Sequence, residues 1–378
     1  MRVCLLCVEI FAWGKYGGFG RSTRVIGREL ARRGVEVTAI VPRRPGQGPV
    51  ENLDGIRVLS FPWHRPLAMG ELVRRCDADI YHSQHPSLAT ALAMHAMPDR
   101  RHIVTFRDPK ELGDWWLELT NPSLNRVQVM LNWLYEDGPW VRSAVRRLDG
   151  TYCAAPSVAE KVRRKYPSVQ TLDLLATPVE LNTAVPKDRI PTVCFVGRWD
   201  RRKRPQLFFE LARQFPTVKF LAAGRSRDPA WEAELRARYG RIGNLELLGF
   251  IDQFESAKLA ALLSRSWILV NTSLREGLPT SFLEALANKC ALLSSVDPGG
   301  VTQRFGRFVS DENFADGLAA LLEADAWRAK GEAGWQYVKE SFETHAVIDK
   351  HLRVYESILA ARPSVAARTP GTPTTQHE

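Results

Sequence analysis

Residues 267–285 read Trp-Ile-Leu-Val-Asn-Thr-Ser-Leu-Arg-Glu-Gly-Leu-Pro-Thr-Ser-Phe-Leu-Glu-Ala, an apolar run, a polar turn and a second apolar run. The first run predicts a buried strand, and a helix is predicted to begin near Thr280. Strand, turn and helix in this order form the repeating unit of a parallel α/β sheet. Glu276 lies on the turn and Glu284 just inside the helix. Both carboxylates can therefore face a ligand at the helix N-terminus, where free amides favour an anion.

The same alternation runs through the rest of the chain. The second half predicts strands at 192–197, 217–223, 244–248, 267–271 and 290–294, with helices between them. The first half predicts strands at 2–9, 35–41, 56–60, 78–82, 102–106 and 149–153. Two such halves predict an α/β protein with two Rossmann-like domains that face each other across a cleft.

Prolines 178, 186 and 191 mark a linker between the halves. The predicted N-terminal domain is 1–185 and includes a helical, aromatic segment at 111–147. The predicted C-terminal domain is 190–345. A helix is predicted at 344–361, and the Pro/Thr/Ala-rich tail 363–378 is expected to be disordered.

Composition excludes several classes of protein. The chain has 378 residues, 45% hydrophobic and 25% charged, and no stretch approaches the roughly 20 apolar residues of a membrane helix. No signal peptide is predicted, so a cytoplasmic location is expected. The net charge of +10 favours phosphate-bearing partners, such as a nucleotide or an anionic membrane, and no nucleic-acid partner is predicted. A generally basic, soluble surface is the alternative interpretation of most of these charges. Cys4 and Cys7 lie in a predicted strand, which favours reduced thiols over a metal or redox site.

A second motif follows the strand at 192–197. Gly197 lets the chain turn, and Arg198 and Lys203 precede a helix that begins at Pro205. Ligands of open α/β sheets bind at this edge, and the two cations suit a diphosphate. A solvated basic turn is the alternative interpretation of this motif alone.

Together these motifs resemble the retaining glycosyltransferases of the GT-B fold, family four (glycosyl transferases group 1). The resemblance covers roughly 1–360 and is strongest over 192–300. It also implies that the helix at 344–361 crosses back to the first domain. It rests on four motifs in order, each at a strand end: Gly197-Arg198 with Lys203, Ala222-Ala223-Gly224-Arg225, Leu248-Gly249-Phe250, and the two glutamates.

The resemblance implies a role for each motif. Arg198 and Lys203 would bind the donor diphosphate and stabilise the leaving group, and Glu276 would contact the transferred sugar. Glu284 would accept hydrogen bonds from the ribose; a solvent-facing helix carboxylate is the alternative. Gly249, Phe250 and Ile251 would hold the base. The other donor-binding residues that it implies in this domain are Gly197, Gly224, Arg225, Gly277, Leu278 and Thr280.

In the first half, the loop between the first strand and helix contains Gly17, Gly18 and Arg21. Its glycine pattern is not GxGxxG, so a dinucleotide site and a dehydrogenase are poorly supported. The resemblance places this loop beside the donor phosphates or the acceptor, and we assign its three named residues to donor binding. A simple tight turn is the alternative.

The resemblance also implies an acceptor side formed by His82, His85, Arg107 and Asp108. Either histidine can instead be an ordinary polar loop residue. Many family members carry His-Asp where this chain has Arg107-Asp108. Arg107 cannot act as a general base, but it can stabilise developing negative charge. A second departure is Ala176-Thr177, where Asn-Gly is common.

The resemblance therefore implies a hexosyltransferase that uses a nucleotide sugar, with UDP- or GDP-sugar expected, and retains the anomeric configuration. The expected acceptor is a glycan, a lipid or a small molecule. No Asp-x-Asp motif stands at a strand end, so neither a metal nor another cofactor is predicted. The alternatives are a GT-B epimerase or hydrolase, and a catalytically silent nucleotide-sugar-binding subunit. Segment 111–147 can meet the inner membrane surface, stack on a glycan or pack as an ordinary helical insertion.

Overall fold

The computed structural model describes residues 1–14, 16–122, 125–310 and 313–361, so the predicted tail at 363–378 lies outside the described residues. The first domain is built on one sheet. In chain order its strands are β1 (Arg2–Leu6), β2 (Glu36–Pro42), β3 (Val50–Leu53), β4 (Ile56–Phe61), β5 (Ile80–Ser83), β6 (Arg101–Phe106), β7 (Gly150–Cys153) and β8 (Asp173–Leu174).

This sheet has the order β3-β4-β2-β1-β5-β6-β7-β8, and every neighbouring pair is parallel except β3 and β4. The β3–β4 hairpin was not predicted. Its turn is Asp54-Gly55, with φ of 54° and 83°. An Asp-Gly pair between two short runs is a strong hairpin signal, so the sequence did contain the information.

The helices of the first domain cover both faces of this sheet. They are α1 (Gly18–Arg32), α2 (Met69–Cys76), α3 (Leu88–Ala96), α4 (Leu112–Thr120), α5 (Arg126–Asp137), α6 (Pro139–Val145) and α7 (Pro156–Lys165). The aromatic segment 111–147 therefore forms three helices, α4 to α6. The described part of the chain contains no helix that is long and apolar enough to cross a membrane.

The second domain has a six-stranded sheet in which all neighbouring strands are parallel. Its strands are β9 (Thr192–Val196), β10 (Lys219–Ala223), β11 (Leu245–Gly249), β12 (Ile268–Asn271), β13 (Ala291–Ser294) and β14 (Gly306–Phe308), in the order β11-β10-β9-β12-β13-β14. Its helices are α8 (Pro205–Gln214), α9 (Pro229–Tyr239), α10 (Lys258–Arg265), α11 (Thr280–Ala287), α12 (Val301–Phe305), α13 (Phe314–Leu322) and α14 (Ala326–Phe342). The predicted pair of parallel α/β domains is confirmed.

The last helix, α15 (Thr344–Ala360), packs on the first domain although it follows the second. Ile348 and Tyr355 are buried in the core of the first sheet, and the Tyr355 hydroxyl lies 2.8 Å from Nδ1 of His82. The chain passes between the domains twice, and the two passages meet where Val179 N–H donates to the Phe342 carbonyl at 2.8 Å. This double connection holds the carboxyl ends of both sheets toward each other.

Candidate active site

The carboxyl ends of both sheets border one cleft of about 1950 Å³. Both domains contribute strand-end residues to its wall, as expected for ligand sites of doubly wound sheets. Every site residue predicted from the sequence lines this cleft except Gly249, His82 and His85. The structure therefore brings most of the predicted residues together.

Glu276 is the centre of the charged part of the cleft. It follows β12 and forms a close ion pair with Lys203, and Ser273 Oγ donates to the same carboxylate oxygen at 2.7 Å. Burial would raise the pKa of the Glu276 carboxyl. The charge of Lys203 and hydrogen bonds from Lys203, Ser273 and Asn271 outweigh burial and lower it. The group is therefore ionised at neutral pH and suited to accept hydrogen bonds.

Asp200 organises the basic turn after β9. Its Oδ1 accepts the backbone N–H of Lys203 at 3.0 Å, and its Oδ2 lies 3.2 Å from Nη2 of Arg198. Burial opposes ionisation of Asp200, but the charges of Arg198, Lys203 and Arg202 lower its pKa overall. The turn thus fixes two cations at the edge of the sheet that also carries Glu276. The sequence motifs indicated the cations but not Asp200.

The N-terminus of α11 opens onto the same region. Pro279 precedes this helix and offers no side-chain cap, so the first amides remain available to a ligand. One turn further, buried Glu284 places Oε1 2.6 Å from Nε of Arg21 on α1. Burial raises the pKa of Glu284, although the charge of Arg21 opposes this effect. Two predicted donor-binding residues therefore meet across the cleft.

The N-terminus of α1 lies against that of α11. A Cβ atom at Gly18 would lie 3.4 Å from Oγ1 of Thr280, and one at Gly17 only 2.0 Å from Oε1 of Glu9. Gly17, the residue before α1, also offers no side-chain cap, but the Glu9 carboxylate accepts the Gly20 N–H at 3.1 Å in the first turn of α1. Two helix N-termini therefore converge on one volume that suits negative charge, and Glu9 already supplies part of that charge at α1.

Gly224 brings three strand ends into backbone contact. Its N–H donates to the Gly249 carbonyl at 2.7 Å, and a Cβ at this position would lie 1.8 Å from the Gly197 carbonyl oxygen. Its φ of +150° also disfavours a side chain. Gly249 supports this turn from behind and does not line the cleft, and its predicted contact with the base stays a prediction.

An aromatic cluster closes one end of the cleft. The rings of Phe250 and Tyr16 have centroids 4.3 Å apart, and the Arg225 guanidinium lies 4.8 Å from the Phe250 centroid. Ile251 lines the cleft beside them. The sequence motifs named Phe250 and Arg225 but not Tyr16, because this contact joins residues more than two hundred positions apart.

Two protein-family models match the chain. The model described as Glycosyltransferase Family 4 matches residues 16–183, and that described as Glycosyl transferases group 1 matches residues 182–329. The chain belongs to this family of glycosyltransferases. The predicted family membership is confirmed.

The glycosyltransferase is 23% identical over 381 residues to the lipopolysaccharide core biosynthesis glycosyltransferase LpsE of Rhizobium meliloti (strain 1021), with 94% of this chain and 99% of the relative covered. It is similar in structure to the sucrose-phosphate synthase of Thermosynechococcus elongatus, with a TM-score of 0.74, 19% identity and 96% and 100% of the two chains covered. It is also similar to Anabaena HepE in complex with UDP-glucose, with a TM-score of 0.67, 13% identity and 94% and 100% covered. These likenesses confirm the GT-B architecture.

Ion pairs connect the two domains of the glycosyltransferase across the cleft. Arg275 binds Asp108 with two hydrogen bonds of 2.7 Å and also lies 2.5 Å from Asp114. Burial would lower the pKa of Arg275, but the two carboxylates raise it overall. Arg202 lies 2.7 Å from Glu118 on α4. Asp108, predicted on the acceptor side, therefore takes part in closing the cleft.

The two predicted acceptor-side histidines do not line the cleft of the glycosyltransferase. His82 is fully buried, and its ring nitrogens lie 2.8 Å from the Tyr355 and Thr105 hydroxyls. Its side chain points to the sheet face that α15 covers, so its predicted acceptor contact is wrong. His85 is buried and accepts the Arg107 backbone N–H at 3.3 Å, so it supports the strand end instead. Arg107 does line the cleft.

Proposed function

We propose that this glycosyltransferase moves a hexosyl group from a UDP- or GDP-sugar to a glycan, lipid or small-molecule acceptor. The observation that carries the proposal is the Lys203–Glu276 pair at the start of α11, with Arg198 held beside it by Asp200. Two cations and two helix N-termini suit a diphosphate, and an ionised carboxylate suits sugar hydroxyls. HepE was crystallised with UDP-glucose, which supports a UDP-sugar here.

In this mechanism Arg198 and Lys203 stabilise the charge that develops on the diphosphate oxygen as its bond to the sugar breaks. Glu276 orients the sugar through its hydroxyls. Glu284 is proposed to accept the ribose hydroxyls, but in the structure this carboxylate is paired with Arg21. When the donor binds, its ribose must therefore displace Arg21 from Glu284 or share the Glu284 carboxylate with it. The Arg21 guanidinium is then available to the diphosphate at the start of α1.

We further propose that transfer retains the anomeric configuration and needs no metal. Inversion needs a general base for the acceptor hydroxyl, and Glu276, the carboxylate on the turn after β12, is a poor base. Lys203 lowers the pKa of Glu276, and Arg275 binds Asp108 with two hydrogen bonds. Arg198 and Lys203 supply positive charge at the diphosphate. Full activity after treatment with EDTA and a product with the donor's anomeric configuration, read by NMR, are the expected results.

The experiment that tests the proposal begins with the melting temperature in the presence of UDP, GDP, ADP and dTDP. A nucleotide that binds the folded protein raises the melting temperature. Sugars linked to the best nucleotide are then incubated with acceptor extracts and, separately, without acceptor. Transfer only in the presence of an acceptor supports the proposal. Epimer formation or hydrolysis of the donor alone, or the absence of any nucleotide effect, contradicts it.

We also propose that helices α4 to α6 rest on an anionic membrane surface, which would present a lipid-linked acceptor to the cleft. Trp116 and Trp140 are 69% and 73% exposed, and Arg126 and Arg146 are exposed on the same segment. Among the described residues of these helices, the large apolar side chains that are exposed are Leu112, Trp116, Val127, Met130, Leu131, Trp133, Leu134 and Trp140.

Several of these exposed residues, among them Leu131, Leu134 and Trp140, also line the cleft, so the surface is continuous with the site. Co-sedimentation with vesicles tests this contact. Wild-type protein should bind vesicles that contain phosphatidylglycerol, and the paired substitutions Trp116→Ser and Trp140→Ser should weaken binding at least severalfold. Ile190→Ser, which changes an exposed apolar residue that lies outside these helices and does not line the cleft, is the matched control. Equal binding by all three proteins contradicts the contact.

A further inference from the structure

Arg107 is a buried cation at the carboxyl end of β6. Only 6% of the residue is exposed, yet it lines the cleft. The next residue, Asp108, contacts the turn after β12, because a Cβ at Gly277 would lie 3.2 Å from the Asp108 carboxyl carbon. Arg107 therefore stands at the first-domain end of the cleft, and its neighbour Asp108 lies against the turn that carries Glu276.

The partners of this guanidinium are neutral. Arg107 Nη1 donates to Thr177 Oγ1 at 2.6 Å, and Nη2 donates to Gln84 Oε1. Within residues 1–14, 16–122, 125–310 and 313–361, no carboxylate forms an ion pair with it. Burial without such a partner lowers the pKa of Arg107 to about 10. A buried charge without a counter-charge is costly, so a negative group that binds beside it would be strongly favoured.

Two hydrogen-bond donors in this cluster have no partner among the described residues. They are the Nε–H of Arg107 and the side-chain amide Nε2 of Gln84, and both are buried. Buried donors without partners are rare in folded proteins. The other cations at this end of the cleft differ, since Lys203 and Arg275 each bind a carboxylate.

We propose that this end of the cleft takes a sugar that carries a carboxylate, which Arg107 binds. The inference rests on the proposed function, because it names a substituent of that reaction's substrates. A planar carboxylate can accept from the unpartnered Nε–H of the guanidinium and supplies the missing negative charge. The diphosphate is assigned to Arg198 and Lys203, so the acid belongs to the sugars. It lies either on the transferred sugar, as in a hexuronic acid, or on the acceptor.

Calorimetric titration in two arms distinguishes these sources. The donor arm compares UDP-glucose with UDP-glucuronate, or GDP-mannose with GDP-mannuronate if GDP is the preferred nucleotide. The acceptor arm compares methyl glucoside with glucuronate while the preferred nucleoside diphosphate is bound. We expect the acid to bind on the order of tenfold to a hundredfold more tightly in one arm, as for a hydrogen bond to a charged group.

Variants assign the preference to Arg107. Arg107→Gln should remove the preference, and Arg107→Lys, which keeps the charge without the fork, should reduce it. Arg147→Gln, an exposed arginine, and Arg44→Gln, a cation elsewhere in the cleft, should keep it. A preference that survives Arg107→Gln overturns the inference. If that variant does not fold, an unchanged preference in Arg107→Lys overturns it.

Wild-type protein alone also gives a decisive result. Nucleotide binding without preference for the acid in either arm contradicts the inference and leaves the proposed function standing. Absence of binding by any nucleoside diphosphate contradicts the proposed function, and the inference falls with it.

Discussion

The two sides of the cleft differ in how their charged residues find partners. In the second domain, Lys203 pairs with Glu276 and Arg198 with Asp200, all within one domain. In the first domain, Asp108 is bound by an arginine of the opposite domain, and Arg107 has only neutral partners. The second domain therefore carries a site that is formed by its own fold. Asp108 and Arg107 of the first domain obtain a charged partner from the opposite domain, when the cleft closes, or from a bound ligand.

This difference follows from how each side is built. The second domain places its charged residues on short turns after parallel strands, where chain order fixes their neighbours. The first domain adds α4 to α6 between β6 and β7 and receives α15 from the far end of the chain. Its site residues are therefore set by contacts between distant segments.

The largest effect is expected when one of the two cations of the second domain, Lys203 or Arg198, is removed. Lys203→Ala and Arg198→Ala should each lower kcat by about 10²–10³-fold, as for loss of one group that stabilises a transition-state charge. Circular dichroism should show an unchanged fold. Lys219→Ala, at an exposed pair with Glu246, is the matched control and should retain activity. Near-normal turnover in both variants would remove the distinction between the domains.

The second-largest effect is expected from a substitution that weakens the contacts between the two domains across the cleft and leaves Arg198 and Lys203 intact. Arg275→Gln removes the two bonds to Asp108 and the contact with Asp114, each made across the cleft. We expect kcat/KM to fall by about tenfold to a hundredfold, as for lost charged hydrogen bonds. Small-angle scattering should show a more open molecule. Arg265→Gln, whose partner Asp188 lies outside the cleft, should change neither quantity.

Acid should destabilise the first domain before the second. His351 is fully buried, and burial lowers its pKa to about 4, with Arg107 adding repulsion. Its ring faces His82 and Tyr355. The unfolded chain binds a proton below pH 6.5, whereas the folded chain does not until about pH 4. Folding stability is therefore complete above pH 6.5 and is lost as the pH falls, by about 2 kcal/mol at pH 5 for this one histidine.

Denaturant unfolding at pH 7.5 and pH 5 measures this loss. His351→Gln should remove about 2 kcal/mol of the difference in unfolding free energy between the two pH values. His345→Gln changes an exposed histidine of the same helix and should leave the difference unchanged. An identical pH dependence in wild type and His351→Gln would show that the histidine is not held neutral.

The last comparison concerns two glycines, one on each side. Gly224→Ala places a Cβ 1.8 Å from a backbone oxygen at a φ of +150° and should cost about 3 kcal/mol or more of unfolding free energy. Gly18→Ala meets Thr280 Oγ1 at 3.4 Å, an ordinary contact, and should change stability by less than about 0.5 kcal/mol. Thermal unfolding of both variants checks the difference. Equal losses would contradict the tight packing of the second domain's strand ends.

The sequence predicted the second domain better than the first for a physical reason. Lys203, Glu276 and Gly224 lie at strand ends, and a parallel sheet brings such positions to one edge. The pairing of Arg21 with Glu284, and of Arg275 with Asp108, joins residues far apart in the chain, so local patterns gave no sign of it.

His82 shows the limit of strand-end reasoning. It stands at the end of β5, as predicted, but neighbouring residues of a strand point to opposite faces, and this one faces α15. Because side chains alternate between the two faces, an error of one residue in the predicted alternation moves a side chain from the cleft to the core. The spacing of the pattern alone does not decide between the two faces.

We propose that the second domain binds the nucleoside diphosphate and that Arg107 does not. Calorimetric titration of UDP, or of GDP if it stabilises the protein more, tests this assignment directly. We predict that Lys203→Ala weakens binding at least about tenfold, whereas Arg107→Gln leaves it unchanged. Unchanged affinity in Lys203→Ala together with loss of binding in Arg107→Gln would contradict it.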